Sequence, residues 1–67
     1  MSVAKVTEIT ATSTKGFNEA VKAGISRAGK TLKNIRGAWI KEFKVDIENN
    51  RVQTYRVDMK VTFVLED

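Results

Sequence analysis

The 67-residue chain contains no cysteine and no histidine. The first absence removes disulfides as a source of stability. The second, with the first, removes zinc-type ligation and histidine acid–base chemistry. Aromatic residues are few: three phenylalanines, one tyrosine and one tryptophan, Trp39. No stretch approaches the roughly 18 apolar residues of a membrane span. The N-terminal MSVAKVTEIT lacks the apolar core of a signal peptide. A cytoplasmic protein is the expectation. A chain of this size buries only about 60% of the surface its unfolded form exposes. Without disulfides or a zinc-type metal, oligomerisation is the expected remaining source of stability.

What is present is a single stretch of domain size, residues 1–67, with a basic middle. The net charge is +4, and residues 15–36 carry Lys15, Lys22, Arg27, Lys30, Lys33 and Arg36 against Glu19 alone. Such a segment is either a solvated helix face or an attractor of phosphate groups and nucleic acid.

Residues 3–11, rich in Val, Thr and Ile, read as a strand. Its alternation is poor, which suits an edge position or a bulge. Thr12, Ser13 and Thr14 are each able to cap a following helix. From Phe17, small or apolar residues fall at 17, 20, 21, 24, 25, 28, 32 and 35, the spacing of one helical stripe. Ala20, Gly24 and Ala28 permit close approach of a sheet, although Gly24 costs about 1 kcal/mol in helix propensity. Asn34 and Gly37 tolerate the left-handed conformation and bracket the expected helix end.

Residues 38–47 read as a second strand, with Trp39, Phe43, Val45 and Ile47 on one face. Residues 52–65 read as a third, alternating Tyr55, Val57, Met59, Val61, Phe63 and Leu65 with polar residues. A two-residue Asn49-Asn50 turn would set these two apolar faces on opposite sides of the sheet. A three-residue loop, Glu48 to Asn50, restores parity and places Ile47 opposite Arg51, Glu42 opposite Arg56 and Phe43 opposite Tyr55. The alternative register sets Glu42 against Asp58 and Lys44 against Arg56, pairs of like charge that are unfavourable directly opposite. The expected fold is α+β: β-α-β-β, with a three-stranded antiparallel sheet in order 1-3-2 wrapped around one amphipathic helix. One helix is too short to cover the long third strand, so part of the apolar face should meet another subunit.

No nucleophile–base constellation appears, and Gly24 and Gly29 lie inside a helical pattern rather than in a phosphate loop. The chain is not expected to be an enzyme. Asp46, Glu48, Asn49 and Asn50 offer oxygens near the turn, to a calcium ion or to solvent. Trp39 has three readings: core or subunit-interface packing, a platform for a flat ligand, or a nucleic-acid stack. Glu42 and Arg56 are candidates for a cross-strand ion pair.

The segments AKVTEITATSTKGFNEAV, RAGKTLKNIRGAWIKEF and VQTYRVDMKVTFVLED together resemble a dodecin. The resemblance implies a sheet curled around the helix and a hollow shell of twelve identical subunits. It implies flavin storage and protection, with flavins stacked in pairs at threefold-related contacts. The family's flavin site rests on a tryptophan three residues after the Asn or His near the helix end, and on a glutamine that follows the aromatic residue of the last strand. Here those positions are Gly37 and Arg56, and Glu42 matches a carboxylate near the same pocket. The pattern NIR with TYR is similar to a dodecin subgroup that lacks the flavin tryptophan and is linked to calcium. Two readings stand side by side. One is a homododecameric shell for a flavin-type ligand (FMN or riboflavin) or for calcium, with flavin binding weak, altered or absent and Trp39 at an interface or standing in for the platform. The other is a phosphate- or nucleic-acid-binding module using the basic helix face.

Overall fold

The computed structural model describes residues 2–65. The chain forms β1 (Ala4–Ser13), α1 (Phe17–Ala28), β2 (Ile35–Glu48) and β3 (Arg51–Val64). The sheet order is β1-β3-β2, with β3 antiparallel to both neighbours. The expected α+β architecture and strand order are therefore observed. β1 is an edge strand and pairs with β3 without a bulge, from Ala4 opposite Val64 to Ser13 opposite Tyr55.

The helix is shorter than its apolar stripe suggests. It starts after Gly16, whose backbone is extended, with no side-chain cap; Ser13 Oγ instead accepts the Lys15 N–H at 2.9 Å within the preceding turn. It ends at Gly29, because the chain tightens into a turn in which the Thr31 and Leu32 N–H groups both donate to the Ala28 carbonyl. Leu32 and Ile35 continue the stripe in sequence, yet Ile35 already belongs to β2, opposite Phe63. Asn34 does take the left-handed conformation, with φ 62°, but it turns the chain into β2 rather than closing the helix. Its carbonyl accepts the Val64 N–H at 3.0 Å, which fixes that corner against the sheet. Gly37 has no positive φ.

Val57, Met59 and Val61 of β3 and Ala20 of α1 are fully buried, with Ile9, Ala11, Phe17, Val21, Ile25 and Ile35 packed around them. Gly24 sits where helix and sheet come closest. A Cβ there would lie 2.5 Å from Met59 Cε and 3.0 Å from Ala11 Cβ. Phe17, the first helical residue, packs edge-on against Phe43 and Tyr55, with ring centroids 4.7 and 5.1 Å away.

The register of β2 on β3 overturns the sequence expectation. The turn has two residues, Asn49 and Asn50, both left-handed with φ of 53° and 62°, and Glu48 pairs with Arg51. Asparagine tolerates that conformation, and two left-handed residues match the twist of the flanking strands. Parity is restored instead by a bulge: Gln53 is an extra residue on β3 between the Ile47–Val52 and Asp46–Thr54 pairs. Phe43 then faces Val57, not Tyr55. Two further bulges, at Lys41 and Arg36, follow along β2. The bulge at Lys41 turns Trp39 onto the face opposite Phe43, so the expected common face of Trp39, Phe43, Val45 and Ile47 does not form.

Glu42 accordingly lies opposite Asp58, and Lys44 opposite Arg56. The expected Glu42–Arg56 pair is absent. The like charges are tolerated for a different reason on each side: Asp46 meets the cation pair, and Asp58 of the acidic pair is held toward its neutral form with Lys41 nearby. Asp46 stands beside the two cations, with Oδ1 3.7 Å from Lys44 Nζ and Oδ2 3.4 Å from Arg56 Nη2. On the acidic side, Glu8 of β1 takes Lys41 Nζ at 3.3 Å. Asp58 Oδ1 is buried and finds no hydrogen-bond donor. Desolvation first, then the hydrogen-bonding contact with Glu8 and its charge, raises the Asp58 carboxyl above its ordinary value.

Two predictions follow from this packing. Gly24→Val should cost about 1–3 kcal/mol by overpacking against Met59 and Ala11. Ala23→Val, on the exposed side of the helix, should cost less than about 1 kcal/mol. Equal losses in urea unfolding would contradict the close approach. Asp58 binds its proton more tightly folded than unfolded. Its stabilising share is therefore complete below the unfolded carboxylate range and is lost as pH rises through the folded value. Asp58→Asn keeps the neutral form at every pH. Its Tm should exceed the parent's at neutral pH, and the difference should shrink in acid; a difference that grows in acid would refute the carboxyl pairing.

Candidate functional site

The face of the sheet turned away from α1 carries the polar half of the β3 alternation: Thr54, Arg56, Asp58, Lys60 and Thr62. The register decides what lies beside each. Gly37 is opposite Thr62, Trp39 opposite Lys60, Glu42 opposite Asp58, and Lys44 opposite Arg56. All four residues singled out in the sequence — Gly37, Trp39, Glu42 and Arg56 — share this outward face. They divide between two hollows.

The first hollow is lined by Arg36, Gly37, Ala38, Trp39 and Thr62 and encloses about 370 Å³. Trp39 is 63% exposed. No atom lies within 4 Å of where a Gly37 side chain would begin. The hollow is thus open space at Gly37, flanked by an indole roughly 7 Å along the strand. An exposed indole offers a broad apolar face and one N–H donor.

The second hollow is lined by Thr10, Glu42, Lys44, Arg56 and Asp58 and encloses about 230 Å³. Its cations are already held. Thr54 Oγ1 donates to Asp46 Oδ2 at 2.6 Å. That hydrogen bond first, with the charges of Arg56 and Lys44 added, lowers the Asp46 carboxyl below its ordinary value. Asp46 thereby draws the Arg56 guanidinium toward the hairpin end. At the other side, the hydrogen-bonding contact with Asp58 first and then the Lys41 hydrogen bond lower Glu8, while the Glu8 hydrogen bond raises Lys41. Glu42 joins the hollow without an ion pair among the described residues.

Sequence reasoning did not single out Glu8, Thr10, Lys41, Asp46 as a latch, or Asp58. The even-numbered alternation of β1 and β3 contained the signal for Glu8, Thr10 and Asp58. Lys41 and Asp46 depend on the bulges. Of the turn oxygens singled out in the sequence, those of Asp46 are taken up by Lys44, Arg56 and Thr54. Among the described residues no three carboxylates converge in a way that could hold a metal.

The chain matches the family model described as Dodecin over residues 3–66. It is 35% identical to a dodecin of Thermus thermophilus over 65 residues, covering 97% of this chain and 94% of that protein. The dodecin structure from Streptomyces davaonensis superposes with a TM-score of 0.94 at 32% identity, covering 98% of this chain and 97% of that one. A calcium-chelating antigen of Mycobacterium tuberculosis, called calcium dodecin and described as having a novel calcium-binding site, superposes with a TM-score of 0.82 at 28% identity, covering 96% and 91%. The matching fold, the near-complete coverage and the family model agree, and the chain belongs to the dodecin family.

Proposed function

We propose that this protein is a homododecameric hollow shell that binds or stores a small ligand on its outward sheet face, with flavin binding weak or altered. The observation that carries the reading is the pair of neighbouring hollows: open space at Gly37 beside an exposed Trp39, next to a charged hollow at Glu42 and Arg56.

Assembly is supported by what the helix leaves uncovered. A 12-residue helix is about 18 Å long, whereas the molecule extends 51 Å. α1 meets Phe43 through Phe17. Beyond it, Phe43 and Ile47 on the helix side of the sheet are 59% and 64% exposed. Apolar surface of this kind on a chain with no disulfide fits a contact with further copies.

The residues present fit the family's flavin set poorly. Gly37 offers no stacking surface where the resemblance places a tryptophan. Arg56 presents N–H donors only, whereas glutamine presents both a donor and an acceptor. Its guanidinium is also held by Asp46. Trp39 shares the Gly37 face and is the one aromatic side chain placed to substitute. Calcium is the alternative ligand suggested by the mycobacterial relative. Such a site would draw carboxylates from more than one subunit, or from beyond the described residues. The role is binding rather than catalysis. No helix among the described residues is long and apolar enough to cross a membrane, and we place the shell in the cytoplasm.

The test is to size the purified protein and titrate it with FMN and riboflavin, following flavin quenching. A twelve-subunit particle with weak quenching is expected; a monomer would overturn the assembly, and tight binding would overturn the altered site. The Gly37→Trp, Arg56→Gln double variant should gain at least tenfold in flavin affinity, about 1.4 kcal/mol. No gain would place the difference from other dodecins outside these two positions.

A further inference from the structure

The two sides of the molecule treat their cations differently. On the outward sheet face, Lys41, Lys44 and Arg56 are each paired with a carboxylate, while Lys60, opposite Glu8 in the ladder, forms no ion pair among the described residues. On the helix side, Lys15, Lys22, Lys30 and Lys33 are exposed, and none forms an ion pair among the described residues. Lys22 lies on the side of α1 opposite Ala20 and Gly24, which pack on the sheet. Lys15 precedes the helix, and Lys30 and Lys33 follow it. The only carboxylate within residues 15–36 is Glu19.

We propose that this lysine face, α1 with its two flanking turns, binds the phosphate backbone of duplex nucleic acid. The scale fits: a 12-residue helix is about 18 Å long, and a duplex presents one phosphate charge per roughly 1.7 Å of axis. Helix and turns carry no exposed aromatic residue, and Trp39 lies on the opposite side of the sheet, so the face reads backbone charge and does not stack on unpaired bases. A membrane surface fits less well. Interfacial helices insert an exposed apolar side, and the apolar side of α1 is spent on Val57, Met59 and Val61. In the shell proposed above the same face is repeated on every subunit, so weak single contacts add as avidity.

Binding of a fluorescently labelled DNA duplex, read by anisotropy, tests this. If four lysines neutralise four phosphates, affinity should fall about 100-fold between roughly 50 and 200 mM salt. A Lys22→Glu, Lys30→Glu, Lys33→Glu variant should bind at least about tenfold more weakly, while its helix content by circular dichroism and its size stay those of the parent. No binding at low salt, an unaffected variant, or tighter binding to phosphatidylserine vesicles or to single-stranded DNA than to the duplex would each overturn the proposal. Sizing of the same samples separates the two readings. A monomer that binds with this salt dependence overturns the shell and keeps the lysine face; a twelve-subunit particle without affinity does the reverse.

Discussion

The structure depends on the pairing register of β2 on β3. Side chains alternate across a strand, so each single-residue offset moves everything beyond it to the other face. The ladder makes three such offsets, at Gln53, Lys41 and Arg36. The first lets a two-residue Asn49-Asn50 turn coexist with an apolar face shared by Phe43, Val45, Tyr55 and Val57. The second turns Ile40 and Ala38 toward the helix side, opposite Met59 and Val61, and sends Trp39 outward beside Lys60. The third returns Ile35 to the core against Phe63. Without the offset at Lys41, Trp39 and Gly37 would both lie on the helix side and the outward face would lose this hollow.

The electrostatics follow from the same register. Placing Glu42 on Asp58 and Lys44 on Arg56 concentrates like charge in the middle of the sheet. The cost is offset locally: Asp46 serves both cations, Lys41 serves Glu8, and Asp58 is held toward its neutral form. The outward face therefore carries mostly paired charges, with Glu42 and Lys60 outside the ion pairs among the described residues, beside one open hollow at Gly37. The helix side has the opposite character, with its lysines unanswered. That division gives the subunit two chemically different surfaces, the ones proposed above for a small ligand and for a polyanion.

Much of this was legible in the sequence. The regular alternation of residues 52–65 identified the central strand, and the β-α-β-β order with antiparallel neighbours followed from it. The small-residue stripe of Ala20, Gly24 and Ala28 located the helix–sheet contact. The resemblance placed Gly37 and Arg56, and both do lie on the outward face with Trp39 and Glu42. The register was not legible. A rule against facing like charges compares only two residues, whereas the chain answers the Lys44–Arg56 pair with Asp46 and relieves the Glu42–Asp58 pair by holding Asp58 toward its neutral form with the Lys41 cation nearby. A bulge leaves no signature in a polar position such as Lys41 or Gln53. The helix end was overrun because Leu32 and Ile35 keep helical spacing while serving a turn and a strand.

The register can be measured directly, because the chain has no cysteine of its own. Directly opposed residues of an antiparallel pair lie within disulfide range, while diagonal neighbours are roughly 7–8 Å apart and fall outside it. Two double variants, Glu42→Cys with Asp58→Cys and Glu42→Cys with Arg56→Cys, are oxidised and analysed by mass spectrometry for an intramolecular cross-link. The structure predicts that the first closes and the second stays reduced. Closure of the second in place of the first would contradict the register, and with it the outward placement of Trp39.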